Sequence, residues 1–384
     1  MTNIQDIAAQ IGVSVATVSR ALNGSPEVSE ATRERVLQLA RELDYTPSAA
    51  ARTLVRRRSN VVGVILETGP GHPDLLHPFF QEVLVGLQHG AGEHGYDLLL
   101  FAGDAPGNGF GGSHSYARRA EHHGIGGVVV MGFDGEHPEM RKLIEADVPC
   151  MAVDSDLGGP RCGLVASDNR EAAAEAVRHL HGLGRRRIAT ITGALETRPA
   201  AERLAGYRDA IEEVALEARE DYVAEGDYYA DSGYESALRL LALAEPPNAI
   251  FAASDMMAAG VLQAAHECGV RVPEELAVVG FDDIAVAALL QPPLTTVRQA
   301  KEKLGRAAAE GLIQMIEDPG APPPRVQVPA RLIVRASSGS TSAPREKAHG
   351  IAKEVARTVG DGTLLPSSDD GAALVTDAGN TEEA

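Results

Sequence analysis

"GVSVATVSRALNGS", residues Gly12 to Ser25, sets turn-forming residues at both ends of a short helix rich in β-branched side chains. Upstream of it, Ile4, Ile7, Ala8 and Ile11 recur at helical spacing behind a Thr2/Asn3 cap, so a first helix is predicted to stop at Gly12. Ser14 can cap a second helix, Val15 to Leu22. After the loop "NGSPEVS", Ser29 opens a longer amphipathic helix through Leu43, with Val36, Leu39, Ala40 and Leu43 on one face, and "YTPS" ends it at a proline. Helix, tight glycine turn and short second helix make the helix-turn-helix pattern, whose second helix lies in the DNA major groove. Val13 and Val18 are expected to pack with Ile7 and Ala8, leaving Ser14, Val15, Ala16, Thr17, Ser19 and Arg20 outward. Such small and hydroxyl side chains can approach bases and phosphates closely. Val15 and Ala16 suit a thymine methyl, and Arg20 a bidentate pair with guanine. The same pattern also suits a surface helix of an ordinary three-helix bundle, and the motif alone leaves both open.

Charge distribution favours the first alternative. The 384-residue chain carries a net charge of −19, but residues 1–60 hold eight arginines against six acids, three of the arginines in the run Arg56–Arg58. A basic head on an acidic body points to nucleic acid as the head's partner. No apolar run approaches the ~18 residues of a membrane span, and "MTNIQDIAAQ" has neither the basic nor the apolar region of a secretory signal. Three cysteines, Cys150, Cys162 and Cys268, are too few and too scattered for a disulfide framework or a zinc site. A cytoplasmic protein with no membrane partner is expected.

From Asn60 the pattern changes. Short apolar runs ("VVGVIL", "YDLLLFAG", "GGVVVMG", "PCMAVDS", "CGLVASD", "RRIATITG", "AIFAAS", "LAVVGFDD") alternate with helical stretches from about Pro78 and at 169–183, 199–215 and 255–268. Strands alternating with helices mean βαβ units and parallel sheet, and there are too many for one sheet. The expected architecture is an all-α head followed by an α/β core of two doubly wound parallel-sheet subdomains, with a ligand crevice at the C-terminal ends of the strands. Between head and core, "SAAARTLV" (48–55) is a helical pattern too short to be stable alone. After Ser337 the composition turns to Ser, Gly, Ala, Pro and Asp, and a disordered tail is expected.

Catalytic chemistry is not indicated. "GNGFGG" (107–112) matches a dinucleotide fingerprint but does not join a strand directly to a helix. His122 and His123, and likewise His179 and His181, point different ways on a helix. No nucleophile elbow, phosphate loop or zinc-hydrolase motif appears, so no enzyme, metal or cofactor is expected.

The stretch "NIQDIAAQIGVSVATVSRALNGSPEVSEATRERVLQLARELDYTPSAAARTL" closely resembles the head of the lactose-repressor (LacI/GalR) family of bacterial transcription regulators. The resemblance runs on through "GYESAL", "AASDMMAAGVLQAAHECGVRVPEELAVVGFDD" and "PPLTTVRQ", and covers about residues 2–336. It implies a helix-turn-helix head (1–46), a hinge helix and linker (47–59) and a periplasmic-binding-protein-like core (60–337). In that core the N-subdomain spans about 60–167 and 299–327, and the C-subdomain about 168–298 and 328–337; the tail (338–384) lies outside.

The family's hinge folds on the operator, and paired hinges of a homodimer wedge a leucine into a central minor-groove step. The matching residue is Leu54, beside Ala51 and Arg52, while Ser48 stands where the family commonly has Asn. Thr2, Asn23, Ser29, Thr32 and Tyr45 complete the implied contacts to palindromic operator DNA. Effector contacts carry over to Phe79, Phe80, Asp154, Arg203, Tyr228, Ser254 and Asp282. Carboxylates and an arginine hold hydroxyls, and aromatics stack on a ring's apolar face. The same residues also have ordinary structural uses: the two aspartates as caps, the arginine in a surface ion pair, the aromatics as core. Upstream of Phe79, "ETGPGHPDLLHPFF" is a long, Gly/Pro/His-rich entry to the first core helix.

The implied function is a repressor controlled by a small molecule, a sugar or oligosaccharide inducer. A corepressor-type regulator of a purine-like ligand is the alternative, although position 197 is threonine where a ring-binding arginine would be wanted. A solute-binding protein would share the core but would need a signal peptide and no helix-turn-helix.

Overall fold

The computed structural model describes residues 3–22, 25–43, 45, 59–66, 75–102, 115–133 and 137–339. Thr2, Asn23, Ser48, Ala51, Arg52 and Leu54 lie outside the described residues, as do the hinge pattern, the run Arg56–Arg58, "GNGFGG" and the chain beyond Gly339.

The head consists of helices α1 (Ile4–Ile11), α2 (Val15–Leu22) and α3 (Glu30–Glu42). Asn3 begins α1 with a capping box: its side chain accepts from the Gln5 and Asp6 amides, and the Asp6 carboxylate accepts from the Asn3 amide. Gly12 ends the helix at φ 78°, a left-handed conformation that costs a residue without a Cβ nothing. The Ser14 hydroxyl accepts from the Thr17 amide at 3.1 Å, opening α2 at the turn where the sequence places it. Ile7, Ala8, Val18, Ala21, Val28, Val36 and Ala40 form the buried centre, with Val13 partly buried against it.

The core holds two six-stranded sheets. The chain first lays down β1 (Val61–Leu66), α4 (Pro78–Glu93), β2 (Asp97–Leu100), α5 (Tyr116–His122), β3 (Val128–Met131), α6 (Pro138–Glu145), β4 (Cys150–Val153) and β5 (Cys162–Ser167). It continues with α7 (Asn169–Gly182), β6 (Ile188–Thr192), α8 (Arg198–Glu213), β7 (Val223–Glu225), α9 (Ala230–Leu241), β8 (Ala249–Ala252), α10 (Asp255–Glu267), β9 (Ala277–Asp282) and β10 (Thr295–Arg298). It then returns with α11 (Lys301–Glu317), β11 (Arg325–Val328) and β12 (Arg331–Ile333). The strand orders are β11-β5-β4-β3-β1-β2 and β12-β10-β9-β8-β6-β7. Every pairing is parallel except β10 with β12, which is antiparallel. The chain therefore passes between the sheets after β5, after β10 and again between β11 and β12.

Both sheets are covered on both faces, which is why their inner strands read as unbroken apolar runs such as "VVVM". Alternate residues of one strand enter different layers. Val129 and Met131 pack with Phe80, Val83 and Leu312, whereas Val128 and Val130 pack with Ala120, Met140 and Leu143. In the second sheet, Ile250 and Ala252 face the α9–α10 layer while Phe251 faces α7 and α8.

Several elements fall outside the alternation read from the sequence. Helices α5, α6, α9 and α11 and strands β7, β10, β11 and β12 were not among those expected; β7 and β12 span three residues each and are partly exposed, too short for a pattern of their own. Ser338, where composition begins the tail, is fully buried. Its hydroxyl pairs with Thr295 Oγ1 at 2.8 Å and with His179 Nε2 at 3.0 Å, a tertiary bond that local composition does not reveal. Among the described residues no helix is long and apolar enough to cross a membrane.

Candidate effector cleft and DNA-facing helix

A cavity of about 270 Å³ opens at the C-terminal ends of the strands, lined from both subdomains. The first contributes His77, Phe79 and Phe80 at the start of α4, Phe133 after β3, and Asp154, Ser155 and Asp156 after β4. The second contributes Glu196 to Pro199, Arg203 from α8, Tyr228 and Asp282, with Gln299 at the crossing between the sheets. Of the seven effector positions expected, Phe79, Phe80, Asp154, Arg203, Tyr228 and Asp282 line this cavity.

Ser254 does not line it. Fully buried at the start of α10, its hydroxyl donates to the Tyr228 carbonyl at 2.9 Å and accepts from the Met257 amide at 3.0 Å. It therefore positions Tyr228 from behind.

Two polar clusters organise the cleft. In the first, Asp154 follows β4 at φ 55°, and its Oδ1 accepts from the Ser167 amide at 3.1 Å and from Asn169 Nδ2 at 3.4 Å. Asn169 Oδ1 in turn accepts from Arg203 Nε at 2.9 Å. Arg203, 4% exposed, also donates Nη1 to the Ala253 carbonyl at 2.6 Å and lays its guanidinium 3.8 Å over the Phe281 ring. Burial pushes the Asp154 carboxyl up to about 6, against the opposing pull of Arg203 and the Ser167 amide. Arg203 is thus a buried residue held by two neutral acceptors and an aromatic face, and not a partner in a surface ion pair.

In the second cluster, Asp282 ends β9 at φ 119°, its Oδ1 accepting from Gln299 Nε2 at 2.6 Å. Its Oδ2 and Gln299 Oε1 are buried without a hydrogen-bond partner among the described residues, as is Arg198 Nη1. Lys301, 3% exposed, donates Nζ to the Asp282 and Asp283 carbonyls at 2.7 and 3.1 Å and lies 3.3 Å from the Glu82 carboxylate on α4. One ammonium therefore ties the strand end that carries Asp282 to a helix of the other subdomain.

Tyr228 joins the clusters. It holds φ 73°, and its hydroxyl lies 2.7 Å from Thr197 Oγ1. The ring passes so close to Gly193 that a Cβ there would sit 2.0 Å from the Tyr228 ζ carbon. Across the cleft, His77 meets Tyr229 edge-on at 5.7 Å. Among the described residues six non-glycine positions have positive φ, and three of them, Asp154, Tyr228 and Asp282, line the cavity. Backbone strain of this kind persists where the surroundings over-determine a functional position.

The sequence did not single out Phe133 as a cleft residue or Asn169 as its support, and no local pattern marks them; His77 lies in the Gly/Pro/His-rich entry "ETGPGHPDLLHPFF", marked as a stretch and not residue by residue. Gln299 had a signal, since it ends the motif "PPLTTVRQ".

On α2, Ser14, Val15, Ala16 and Arg20 are exposed, while Thr17 and Ser19 are half-buried on the same side. Val15, at 41%, is an apolar side chain held in solvent. Arg20 pairs with Glu27 at 3.4 Å, both well exposed, a contact weak enough to exchange for a DNA partner. Ser29 caps α3 with its hydroxyl 2.9 Å from Thr32 Oγ1, and Tyr45 packs half-buried against the head's core.

Comparison with known proteins agrees with both halves. Residues 3–48 match the family model for bacterial regulatory proteins of the lacI family, and residues 177–338 match that for a periplasmic binding protein-like domain. The chain is 35% identical to the HTH-type transcriptional regulator CelR of Thermobifida fusca over 87% of this chain and 97% of that one. It is 32% identical to the HTH-type transcriptional repressor PurR of Vibrio atlanticus over 83% and 93%. A solved transcriptional regulator CelR–cellobiose complex shares the fold with a TM-score of 0.66 at 33% identity, covering 88% of this chain and all of that one. The lac repressor dimer bound to operator and the anti-inducer ONPF does so with a TM-score of 0.74 at 25% identity, covering 88% and 99%. This chain, with its helix-turn-helix head and periplasmic-binding-protein-like core, belongs to the LacI family of bacterial transcriptional regulators.

Proposed function

We propose that this protein is a sequence-specific repressor that binds a palindromic operator as a homodimer and releases it when a neutral carbohydrate, a sugar or short oligosaccharide, enters the cleft. The observation that carries the ligand class is an aromatic-walled cavity in which three lining residues each hold a buried polar atom without a partner among the described residues: Asp282 Oδ2 and Gln299 Oε1 as acceptors, Arg198 Nη1 as donor. Leaving such atoms unpaired costs about 1–3 kcal/mol each, so a ligand rich in hydroxyls, which both donate and accept, gains by satisfying them. The Phe79, Phe80 and Phe133 rings offer faces for the apolar side of a sugar ring. An acidic or phosphorylated ligand is disfavoured, because the carboxyl groups of Asp154, Asp156, Glu196 and Asp282 outnumber the cations Arg198 and Arg203 around the space. The relative whose structure is solved as a cellobiose complex supports the same class.

In this reading Ser14, Val15, Ala16, Thr17, Ser19 and Arg20 face the major groove, and Leu54 wedges the operator's centre. The effector acts by favouring a core geometry in which the paired hinges lose register; its power is bounded by its differential affinity for the two core states.

Selection of bound sequences from a random duplex pool tests the proposal, with and without cellobiose and mixed oligosaccharides. The expected result is one palindrome, enriched without sugar and depleted with it. A palindrome strengthened by a purine base instead would move the assignment to the corepressor class. No enrichment at low salt would overturn DNA recognition altogether. Within the enriched site, Arg20→Ala should relax one base position at a cost of roughly 1–3 kcal/mol; a uniform loss over all sequences would make Arg20 a phosphate contact.

A further inference from the structure

Two of the three cysteines, far apart in sequence terms for any recognised framework, are neighbours in the fold. Cys150 opens β4 and Cys162 opens β5, and these parallel strands pair with Cys150 directly opposite Cys162. The Cys150 amide donates to the Arg161 carbonyl at 2.9 Å, which locks the register at that point. Opposed residues of adjacent parallel strands project from the same face, and both side chains enter one apolar layer with Ile65, Val128, Leu143 and Leu157. Adjacent strands lie ~4.8 Å apart, inside the span of Cα separations that disulfides bridge. The Cys150 S–H donates to the Val148 carbonyl at 3.1 Å, and the paired register sets the Cys162 thiol beside it, close enough for each thiol to shift the other's titration. Cys268, by contrast, is exposed and distant in sequence from both.

We propose that Cys150 and Cys162 form a reversible oxidation site, closing to a β4–β5 disulfide when the protein meets hydrogen peroxide. The two sulfurs differ in a way that assigns their roles. The hydrogen bond from Cys150 holds the Cys162 thiol below its ordinary value, whereas that contact and burial push Cys150 well above its own. Cys162, at 6% the more exposed of the two, is the attacking thiolate, and Cys150 is the resolving thiol.

The Cys162 thiolate attacks one peroxide oxygen. The O–O bond breaks, a sulfenic acid forms at Cys162, and the departing hydroxide takes a proton and leaves as water. Cys150 then loses its proton to the leaving oxygen as its sulfur attacks the Cys162 sulfur. The S–S bond forms, the S–O bond breaks, and a second water departs. Two thiols are oxidised by two electrons, and the peroxide is reduced to two waters.

The bond would close the segment that carries Asp154, Ser155 and Asp156, and would fix the spacing of the two strands that hold Asp154 against the Ser167 amide. Oxidation is therefore expected to raise the melting temperature and reduce exchange of amides between 150 and 167.

The full chain with Cys268→Ser, freed of reductant and treated with hydrogen peroxide, tests the proposal. The expected product has lost the mass of two hydrogens, has no free thiol after denaturation, yields one Cys150–Cys162 linked peptide, and is restored by dithiothreitol. A product that gains oxygen at Cys162 without a cross-link would overturn the assignment, as would two thiols that survive peroxide intact. In Cys150→Ser the sulfenic acid should persist at Cys162 and be trapped by dimedone; no labelling at Cys162 would remove it as the nucleophile. Should that variant fail to fold, dimedone added to the Cys268→Ser protein during peroxide treatment answers the same question, since the adduct is expected at Cys162 and an adduct at Cys150 would reverse the roles.

Discussion

The two walls of the cleft solve the same problem by different means. On the side of the first sheet, aromatic rings hold one another edge-on: Phe79 and Phe80 at 5.2 Å, His77 and Phe80 at 6.4 Å, Phe133 and His137 at 4.9 Å. On the side of the second sheet, directional bonds and strained backbone hold Arg203, Tyr228 and Asp282. Ring packing is non-directional and can relax around a change of shape, because its energy is spread over many weak contacts. A buried hydrogen-bond network cannot, because each lost partner strands another. The ring-packed part of the first wall is therefore adaptable, and the polar network, which is mostly the second wall's and reaches the first only at Asp154, is the part that specifies.

The sharpest way to break that contrast is to compare Arg203→Met with Phe80→Leu. The methionine fills much of the arginine's volume but leaves the Asn169 side chain and Ala253 carbonyl short of a donor, and Asp154 without its cation. A loss of about 3–5 kcal/mol in urea denaturation of the core is expected, the sum for two buried hydrogen bonds from a charged donor. Phe80→Leu keeps an apolar side chain in an apolar layer and should cost no more than about 1.5 kcal/mol. Equal losses would mean that the two walls do not differ in kind.

The Asp154 carboxyl provides the second test. Its folded value, about 6, stands above the ordinary 3.8, so the folded protein binds this proton more tightly than the unfolded chain does. That contribution to stability is fully present below pH 4 and is lost as pH rises through 6; integrated, the shift corresponds to about 3 kcal/mol. Asp154→Asn should remove the slope while keeping an oxygen that accepts from the Ser167 amide. Measured between pH 4 and 7.5, the difference in unfolding free energy between wild type and variant should change in favour of the variant as pH rises. A difference independent of pH would show that another group carries the titration. Affinity for the effector should bend in the same interval, because the carboxyl's charge at the cavity wall changes there.

How far the sequence could anticipate this site follows from what each feature depends on. The head was legible nearly residue by residue, since its helices start and stop on local signals: Asn3, Gly12, Ser14 and Ser29 each act on a backbone group within three or four positions. The parallel sheets were legible from runs such as "VVGVIL" and "AIFAAS", because burial on both faces imposes a local composition. The antiparallel β12 was not, for its partner β10 lies some 35 residues upstream and its own three residues carry no period. Family resemblance supplied Asp154, Arg203, Tyr228 and Asp282 as positions; it could not supply that Arg203 is spent on Asn169 and the Ala253 carbonyl, nor that Ser254 acts through Tyr228. Those facts are tertiary, set by strand ends that converge from far apart in the chain. The Cys150–Cys162 juxtaposition belongs with them: twelve residues of sequence separation hide a pairing that the β4–β5 register makes direct.

The smallest expected effect tests whether the polar wall is one unit or several. Thr197 donates its hydroxyl to the Ala194 carbonyl at 2.8 Å, so in the bond between Thr197 and Tyr228 it is the tyrosine that donates. Tyr228→Phe removes that single donor and leaves Thr197 still satisfied as a donor itself. The ring stays where Gly193 below it and the Ser254 bond to its own carbonyl put it. A loss of only about 1 kcal/mol is expected, the net value of one neutral hydrogen bond. Thr197→Val should cost about twice as much, since it also removes the bond to the Ala194 carbonyl, and the double variant little more than Thr197→Val alone, because both changes remove the Thr197–Tyr228 bond. Additive losses would mean that each hydroxyl has a separate partner in the folded protein and that the wall is a set of independent contacts. Non-additive losses in stability accompanied by a large drop in effector affinity for both single variants would mean that the bond's main use is to hold the Tyr228 hydroxyl in the orientation that the ligand meets.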